Sequence, residues 1–389
     1  MYKTLVFLFL FLFIKISTAQ EHILSPESKI SVLTIGPGTS LNDSFGHSAF
    51  RITDRLNNID LVYGYGEYDF DAPNFYLKFA QGKLNYLISK DKFQKFYQVY
   101  VYFNRTIKEQ TLNLSLAEKQ KLYDFLTENY KPKNRGYLYD FFFDNCATKI
   151  KDVANISLNN AIVFNTPEDY KEASFRTLIQ DNLNKNSWGS LGIDICLGSV
   201  IDKNAIAEEH MFLPENIHKF FANASIRNSN EPLVKESRIL YSKKKTPKSN
   251  TFFTSPLFIL GLIGAVMLFI TYRDSKNNKQ SLWLDATIFS ITGIIGILLL
   301  LLWFATDHKG THQNYNLLWA CALNIFIIPQ LFKKAASTWF IKYLKFLIIL
   351  LCLLTLHWII GIQVFAIGLI PLLIALFMRY LYLIKFYNK

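Results

Sequence analysis

From residue 251 to residue 389 the chain consists mostly of lipid-compatible residues, and this constrains its fold more than any other feature. Five apolar segments, at about 252–272, 284–305, 317–332, 338–356 and 361–380, are separated by short polar turns. A bilayer core needs roughly 20 apolar residues per crossing helix, and inside it every backbone polar group must find a partner within the protein. An all-α five-helix transmembrane domain is therefore expected over 251–389. Its third segment is short enough to call for snorkelling or local thinning. Alternate turns are rich in basic residues: Arg273, Lys276 and Lys279; then Lys333, Lys334, Lys342 and Lys345; then Arg379, Lys385 and Lys389. The intervening turns hold only Lys309. Basic residues are retained on the cytoplasmic side, so the C-terminus is expected there and the region before residue 251 outside. Lys243, Lys244, Lys245 and Lys248 depart from this pattern, which a long translocated domain tolerates.

The first nineteen residues agree with export. Lys3 is followed by the apolar run Leu5–Ile14, and Ser17-Thr18-Ala19 precedes Gln20 as a small-x-small cleavage site. Residues 1–19 are read as a signal peptide and 20–250 as a periplasmic domain. No cysteine follows the signal, so the chain is not expected to be a lipoprotein itself. The net charge of +12 sits largely beside apolar segments. That favours anionic lipid over a nucleic-acid partner, which would need a basic stripe.

Within the exported part, Ile30–Ile35, Ala49–Thr53, Ile59–Tyr65 and Phe96–Phe103 read as strands. Ser115 with Glu118 three residues on opens a helix through Tyr130, and Phe175–Leu183 has helical character. Residues 155–240 carry no motif. Of four cysteines, Cys321 and Cys352 fall in apolar segments as small fillers. Cys146 and Cys196 are exported, where a structural disulfide is the plain alternative.

Two motifs carry chemistry. His47 lies in Ser44-Phe45-Gly46-His47-Ser48-Ala49-Phe50-Arg51-Ile52, just ahead of a strand. Cys146 lies in Tyr139-Asp140-Phe141-Phe142-Phe143-Asp144-Asn145-Cys146-Ala147-Thr148, where Asn145 ends an extended stretch and a helix opens. A helix N-terminus and a nearby imidazolium both lower a thiol pKa, and the first helical N–H can stabilise an oxyanion. Each residue also has a structural reading: His47 bonding a loop carbonyl, Cys146 as a small hydrophobe beneath the phenylalanines. Read by residue chemistry, the pair reaches thiol-dependent acyl transfer or hydrolysis at a membrane.

These motifs, together with Thr306-Asp307-His308-Lys309-Gly310-Thr311 and Asn314-Tyr315-Asn316, resemble the Lnb lipoprotein N-acyltransferases of Bacteroides-type bacteria. The first two motifs are similar to the Lnb N-terminal periplasmic domain family. The order His-then-Cys is similar to circularly permuted papain-like enzymes. The resemblance implies an α+β, permuted papain-like domain with Cys146 as nucleophile and His47 as base. It also implies that the residue orienting the imidazole comes from the following strand, with Tyr63 first and Asp60 second. Ser44, Arg51 and Asn145 are expected as binding or accessory residues. So are Asp307, His308 and His312, whose spacing is not that of a zinc site; no metal and no cofactor are expected. The partners implied are a phospholipid acyl donor, a lipoprotein acceptor amine and the membrane, with no nucleic acid. Two other functions fit the residues less well: a cysteine peptidase, amidase or phospholipase of the NlpC-like class, and a non-enzymatic membrane scaffold.

Overall fold

The computed structural model describes residues 23–227, 229–245, 251–333 and 337–388. The segment read as a signal peptide, and Lys248, Lys334 and Lys389, lie outside the described residues. The exported part comprises, in order, β1 (Lys29–Ile35), β2 (His47–Asp54), β3 (Ile59–Tyr68), α1 (Phe75–Gln81), β4 (Asn85–Lys92), α2 (Phe93–Tyr102), β5 (Ile107–Leu112), α3 (Leu116–Asn129), β6 (Gly136–Leu138) and α4 (Cys146–Ser157). These are followed by β7 (Ile162–Val163), α5 (Phe175–Asp181), α6 (Trp188–Cys196), α7 (Pro214–Asn223), β8 (Ser225–Ile226), β9 (Glu231–Pro232) and β10 (Val234–Tyr241). Seven strands form one antiparallel sheet in the order β10-β5-β1-β2-β3-β4-β6.

The sheet is buried on both faces, because alternate residues of its central strands are apolar on each side. Ile30, Val32, Phe50, Ile52, Tyr63 and Tyr65 face the main core, where α3, α4 and α7 bring Leu122, Leu126, Ile150, Val153, Ile217 and Phe221. Leu33, Ile35, Ala49 and Val62 face the other way, beneath Phe93, Phe96, Tyr97, Tyr100 and Val101. Those last five residues correct the expected strand at Phe96–Phe103. Its aromatic and β-branched composition favours a strand, but the positions that meet the sheet recur at helical spacing, and the segment is α2. The helix expected after Ser115 forms with its full capping box.

Among the described residues, four helices are long and apolar enough to cross a membrane: α8 (Pro256–Asn277), α9 (Leu282–Phe304), α11 (Thr338–Ile359) and Ile367–Tyr387, whose α-helical part is α12 (Ile370–Tyr387). The third expected helix differs. A short turn at Tyr315–Leu318 is followed by α10 (Asn324–Leu331), only 8 residues long. Such a helix spans about 12 Å, well short of a bilayer core. The segment nevertheless runs between the two ends of the bundle. The Tyr315 N–H donates to Gln363 Oε1 at one end, and the Leu331 carbonyl accepts from the Tyr387 hydroxyl at the other. Its irregular backbone is enclosed by protein. Asn324 donates to Thr292 and accepts from Tyr343, and a Cβ on Gly296 would lie 2.2 Å from the Ala320 carbonyl. Burial against neighbouring helices is the condition for non-helical backbone at this depth.

The Arg379 guanidinium ties α8, α9 and α12 together, donating to Asp285 at 2.6 and 2.9 Å and to Asp274 at 2.8 Å. This end of the bundle also holds Lys279, Gln280 and Leu331, bonded to Tyr382 and Tyr387. The opposite end carries the exported domain. Trp188 Nε1 donates to the Thr254 carbonyl at 2.8 Å, and Asn314 Nδ2 to the carbonyls of Ile195 and Cys196 at 2.7 and 3.0 Å. Asn316 Nδ2 donates to the Asp194 carbonyl at 2.9 Å. The buried Arg176 binds Asp194 and Asp202, and Asp202 accepts from the Val364 N–H. The part of residues 155–240 that carries no motif thus supplies, through α5, α6 and the turn after them, the seat on the membrane domain.

Candidate active site

Cys146 is the first residue of α4, as its motif leads one to expect. Asn145 caps the helix with Oδ1, which accepts from the N–H groups of Ala147 and Thr148 at 2.8 and 3.0 Å. Its Nδ2 donates to the carbonyls of Phe141 and Phe212 at 2.7 and 2.8 Å. Thr148 closes the box by accepting from the Asn145 N–H. Asn145 therefore has no donor or acceptor left for a substrate. It fixes the direction in which Cys146 leaves the helix, which makes it a positioning residue.

His47 is the first residue of β2. It follows Gly46, whose φ of +85° and close approach to the Ile35 carbonyl suit glycine. The pairing of β2 with β3 begins only at Ala49 with Gly64, so the two strands diverge at this end. The fork is kept open by glycine. A Cβ on Gly64 would lie 3.2 Å from His47 Nε2, and one on Gly66, at the β3 bulge, would lie 4.0 Å from Cys146 Cβ. The Ser48 N–H at the start of β2, and the N–H groups of Ala147 and of Cys146 itself, favour the ionised form of the Cys146 thiol. Together these N–H groups form the kind of cradle that stabilises negative charge on sulfur or on an adjacent oxyanion. The imidazole and the thiol come from opposite layers. His47 stacks toward Tyr100 of α2, whereas Cys146 arrives with α4 on the main-core side. Among the described residues no hydrogen bond joins the two. Catalytic contacts often close only once substrate is bound.

Burial pushes the Cys146 thiol up, and the Ser48, Ala147 and Cys146 N–H groups and then Arg105 pull it back only in part. Burial, followed by Arg105, pushes His47 down to about 4, with Asp43 opposing. The resting pair is a neutral thiol beside a neutral imidazole. The helix terminus and N–H groups are present, but low-dielectric surroundings outweigh them. The imidazole is in its proton-accepting form across the neutral range.

Arg105 is the site residue that no motif marked. It is nearly fully buried and donates to the Gly36 carbonyl at 2.9 Å and to Asp43 Oδ1 at 3.1 Å. It lies 4.9 Å from the Tyr100 ring, and its Nη2 has no hydrogen-bond partner among the described residues. A lone arginine after a helix has no periodic signature.

The other expected residues are placed elsewhere. Tyr63 pairs with Phe50 on the main-core face, against Tyr130, and does not reach the imidazole. Asp60 binds Arg51 at 2.8 and 2.9 Å near the far end of β2, and Arg51 also binds Glu109 and covers Phe93. Neither Tyr63 nor Asp60 orients His47, because sheet alternation and strand length separate them from it. Ser44 bonds the Ser40 carbonyl in the preceding loop. Asp307 and His308 bond the carbonyls of Gln81 and Phe79, and His312 presses its carbonyl toward Gly198. The loop containing them does reach the segment that delivers Cys146. Lys309 lies 5.1 Å over the Phe143 ring, and a Cβ on Gly310 would lie 2.7 Å from Phe142. Cys146 and Cys196 are both free thiols, so the disulfide alternative does not hold.

Residues 18–179 match a family model described as the Lnb N-terminal periplasmic domain, and residues 247–389 match one described as the Lnb transmembrane domain. No curated protein and no solved structure matches the chain.

Proposed function

Because this chain belongs to the Lnb family in both its periplasmic and its membrane half, and so is a membrane-associated lipoprotein-processing protein, we propose that it moves an acyl chain from a phospholipid to the N-terminal amine of a diacylglyceryl lipoprotein. The observation that carries this reading is the fork between β2 and β3. There Gly64 lies against the His47 imidazole and Gly66 against Cys146, while the loop at 309–310 touches Phe142 and Phe143 just ahead of the thiol. The order of a His-bearing strand and then a Cys-bearing helix supports a permuted papain-like arrangement.

In the first step Cys146 Sγ attacks the ester carbonyl as His47 accepts its proton. The C–O bond breaks, and the lysophospholipid leaves with the proton returned by His47. In the second step the lipoprotein α-amine attacks the thioester, His47 takes a proton from the nitrogen, the C–S bond breaks, and the sulfur is reprotonated. Ping-pong kinetics follow from the covalent intermediate. A neutral imidazole suits both proton transfers. The membrane helices hold the acyl substrates at the site and keep out the water that would hydrolyse the thioester.

In this reading residues 1–19 are removed, 20–250 lie in the periplasm and 251–389 cross the inner membrane five times, the third time through the broken segment ending in α10. The clustering of basic turns at the end away from the exported domain supports a cytoplasmic C-terminus. An amidase reading leaves four apolar helices without a role. Mass spectrometry of lipoprotein N-termini tests the proposal: cells with the wild-type chain carry an added amide-linked acyl group, and cells with Cys146→Ser do not. An N-terminus that keeps its acyl group in the variant overturns it.

A further inference from the structure

The exported domain carries an exposed apolar element beside the membrane helices. Between β3 and β4, Phe70, Tyr76, Leu77 and Phe79 expose 72%, 83%, 58% and 47% of their surface. Isolated exposed hydrophobes are ordinary, but an apolar group gathered on one short helix and the turn before it is not. Its position is fixed by contacts. The Gln81 carbonyl accepts from the Asp307 N–H at 2.8 Å, His308 Nε2 lies 3.2 Å from the Phe79 carbonyl, and Lys83 pairs with Asp307. Asp307 follows the end of α9 by three residues, and that end carries the stacked pair Trp303 and Phe304, with Phe304 widely exposed. A tryptophan at a helix end, such as Trp303, marks the level of the lipid head groups. α1 is thus held at the depth where α9 leaves the bilayer.

From α1 a row of rings runs inward. Phe79 stacks on Phe75 at 6.5 Å, Phe75 meets Tyr68 at 6.1 Å, Tyr68 meets Tyr86 at 4.9 Å, and Tyr86 stacks on Tyr139 at 4.2 Å. The row ends at the fork: a Cβ on Gly66 would lie 3.9 Å from Tyr139 Cε2 and 4.0 Å from Cys146 Cβ. We propose that the segment 69–81 dips its aromatic face into the outer leaflet, and that the row Phe79, Phe75, Tyr68, Tyr86 and Tyr139 guides an acyl chain from the bilayer to Cys146. The occupant is lipid rather than a protein partner, because the patch is continuous with the exit of a membrane helix. The guiding role rests on the acyl-transfer reading; the membrane contact does not.

Two experiments on the full-length protein in phospholipid vesicles separate these parts. A photo-crosslinking phenylalanine analogue at position 76 forms phospholipid adducts on irradiation. The same analogue at position 56, in the exposed turn at the other end of β2, forms none. Adducts at position 76 to a second copy of the chain, or none at all, overturn the membrane contact. For the guide, Phe75→Ser lowers the ratio of turnover on a long-chain phospholipid to turnover on a water-soluble short-chain one by about tenfold, the size of one lost aromatic contact. An unchanged ratio overturns the guide. A wild-type protein that crosslinks lipid at position 76 yet acylates nothing keeps the contact and removes the acyl-transfer reading.

Discussion

Arg105 donates from Nη1 to Asp43 Oδ1 at 3.1 Å, and the two charges act on the same imidazole in opposite directions. Asp43 favours the protonated ring and Arg105 the neutral one. Arg105 also favours the ionised form of Cys146. One buried cation therefore biases both members of the pair toward proton transfer from sulfur to nitrogen. Its reach to both follows from its place between the loop before β2 and the start of β5.

Arg105→Met removes that bias while keeping most of the side-chain volume. The His47 pKa rises toward its ordinary value and the thiol moves further up. Alkylation of Cys146 by iodoacetamide at neutral pH, read on its peptide by mass spectrometry, slows, because a smaller fraction of the thiol is ionised. Arg105→Lys retains part of the rate. Equal rates in wild type and Arg105→Met would remove Arg105 from the site.

The depressed imidazole makes stability depend on pH with a definite sign. The unfolded chain takes up a proton near 6.5, while the folded ring resists until about 4. Between those values the unfolded state binds more protons, so stability falls as pH drops from about 6.5 to about 4 and is constant above that window as far as this group is concerned. The loss is about 3 kcal/mol. His47→Gln flattens the slope in thermal unfolding of the detergent-solubilised protein; an unchanged slope assigns it to another group.

Asn145 uses both halves of its amide. Asn145→Ala removes the cap and leaves two carbonyls unpaired, costing about 2 kcal/mol of stability as well as activity. Asn145→Asp keeps the cap on Ala147 and Thr148 but turns two donors into acceptors facing the Phe141 and Phe212 carbonyls. It is therefore expected to be at least as destabilising as alanine. Melting temperatures of the two variants, compared with wild type, check the order.

Gly64→Ala tests the fork directly. Its methyl group would meet Ser89 Oγ at 3.1 Å and His47 Nε2 at 3.2 Å. The ring has to move by a few tenths of an ångström while the strand stays paired. Turnover falls by roughly tenfold to a hundredfold, with a melting temperature close to wild type, because geometry at the reacting atoms is lost and the core is not. Full activity in this variant would mean that the imidazole does not act from the position it occupies.

Sequence alone determined whatever depends on local pattern. Runs of apolar residues can only be satisfied as helices in lipid, and four such helices form among the described residues. Asn145 followed by Cys146, Ala147 and Thr148 encodes a helix start by capping chemistry, and it is there. The motif around His47 encodes a strand entry after a flexible glycine. Helical spacing was also present at Phe93, Phe96, Tyr97, Tyr100 and Val101, but composition pointed to a strand. Only contact with the sheet selects between the two readings. The tertiary structure alone decided which groups stand around the sulfur. Arg105, and Gly64 and Gly66 of β3, come from two separate elements whose side chains, or lack of them, signal nothing until β2 and β3 part. Tyr63 and Asp60 were excluded by the face and the distance that strand pairing imposes. Burial, a property of the assembled layers and not of any motif, made the thiol a weak acid and kept the imidazole neutral.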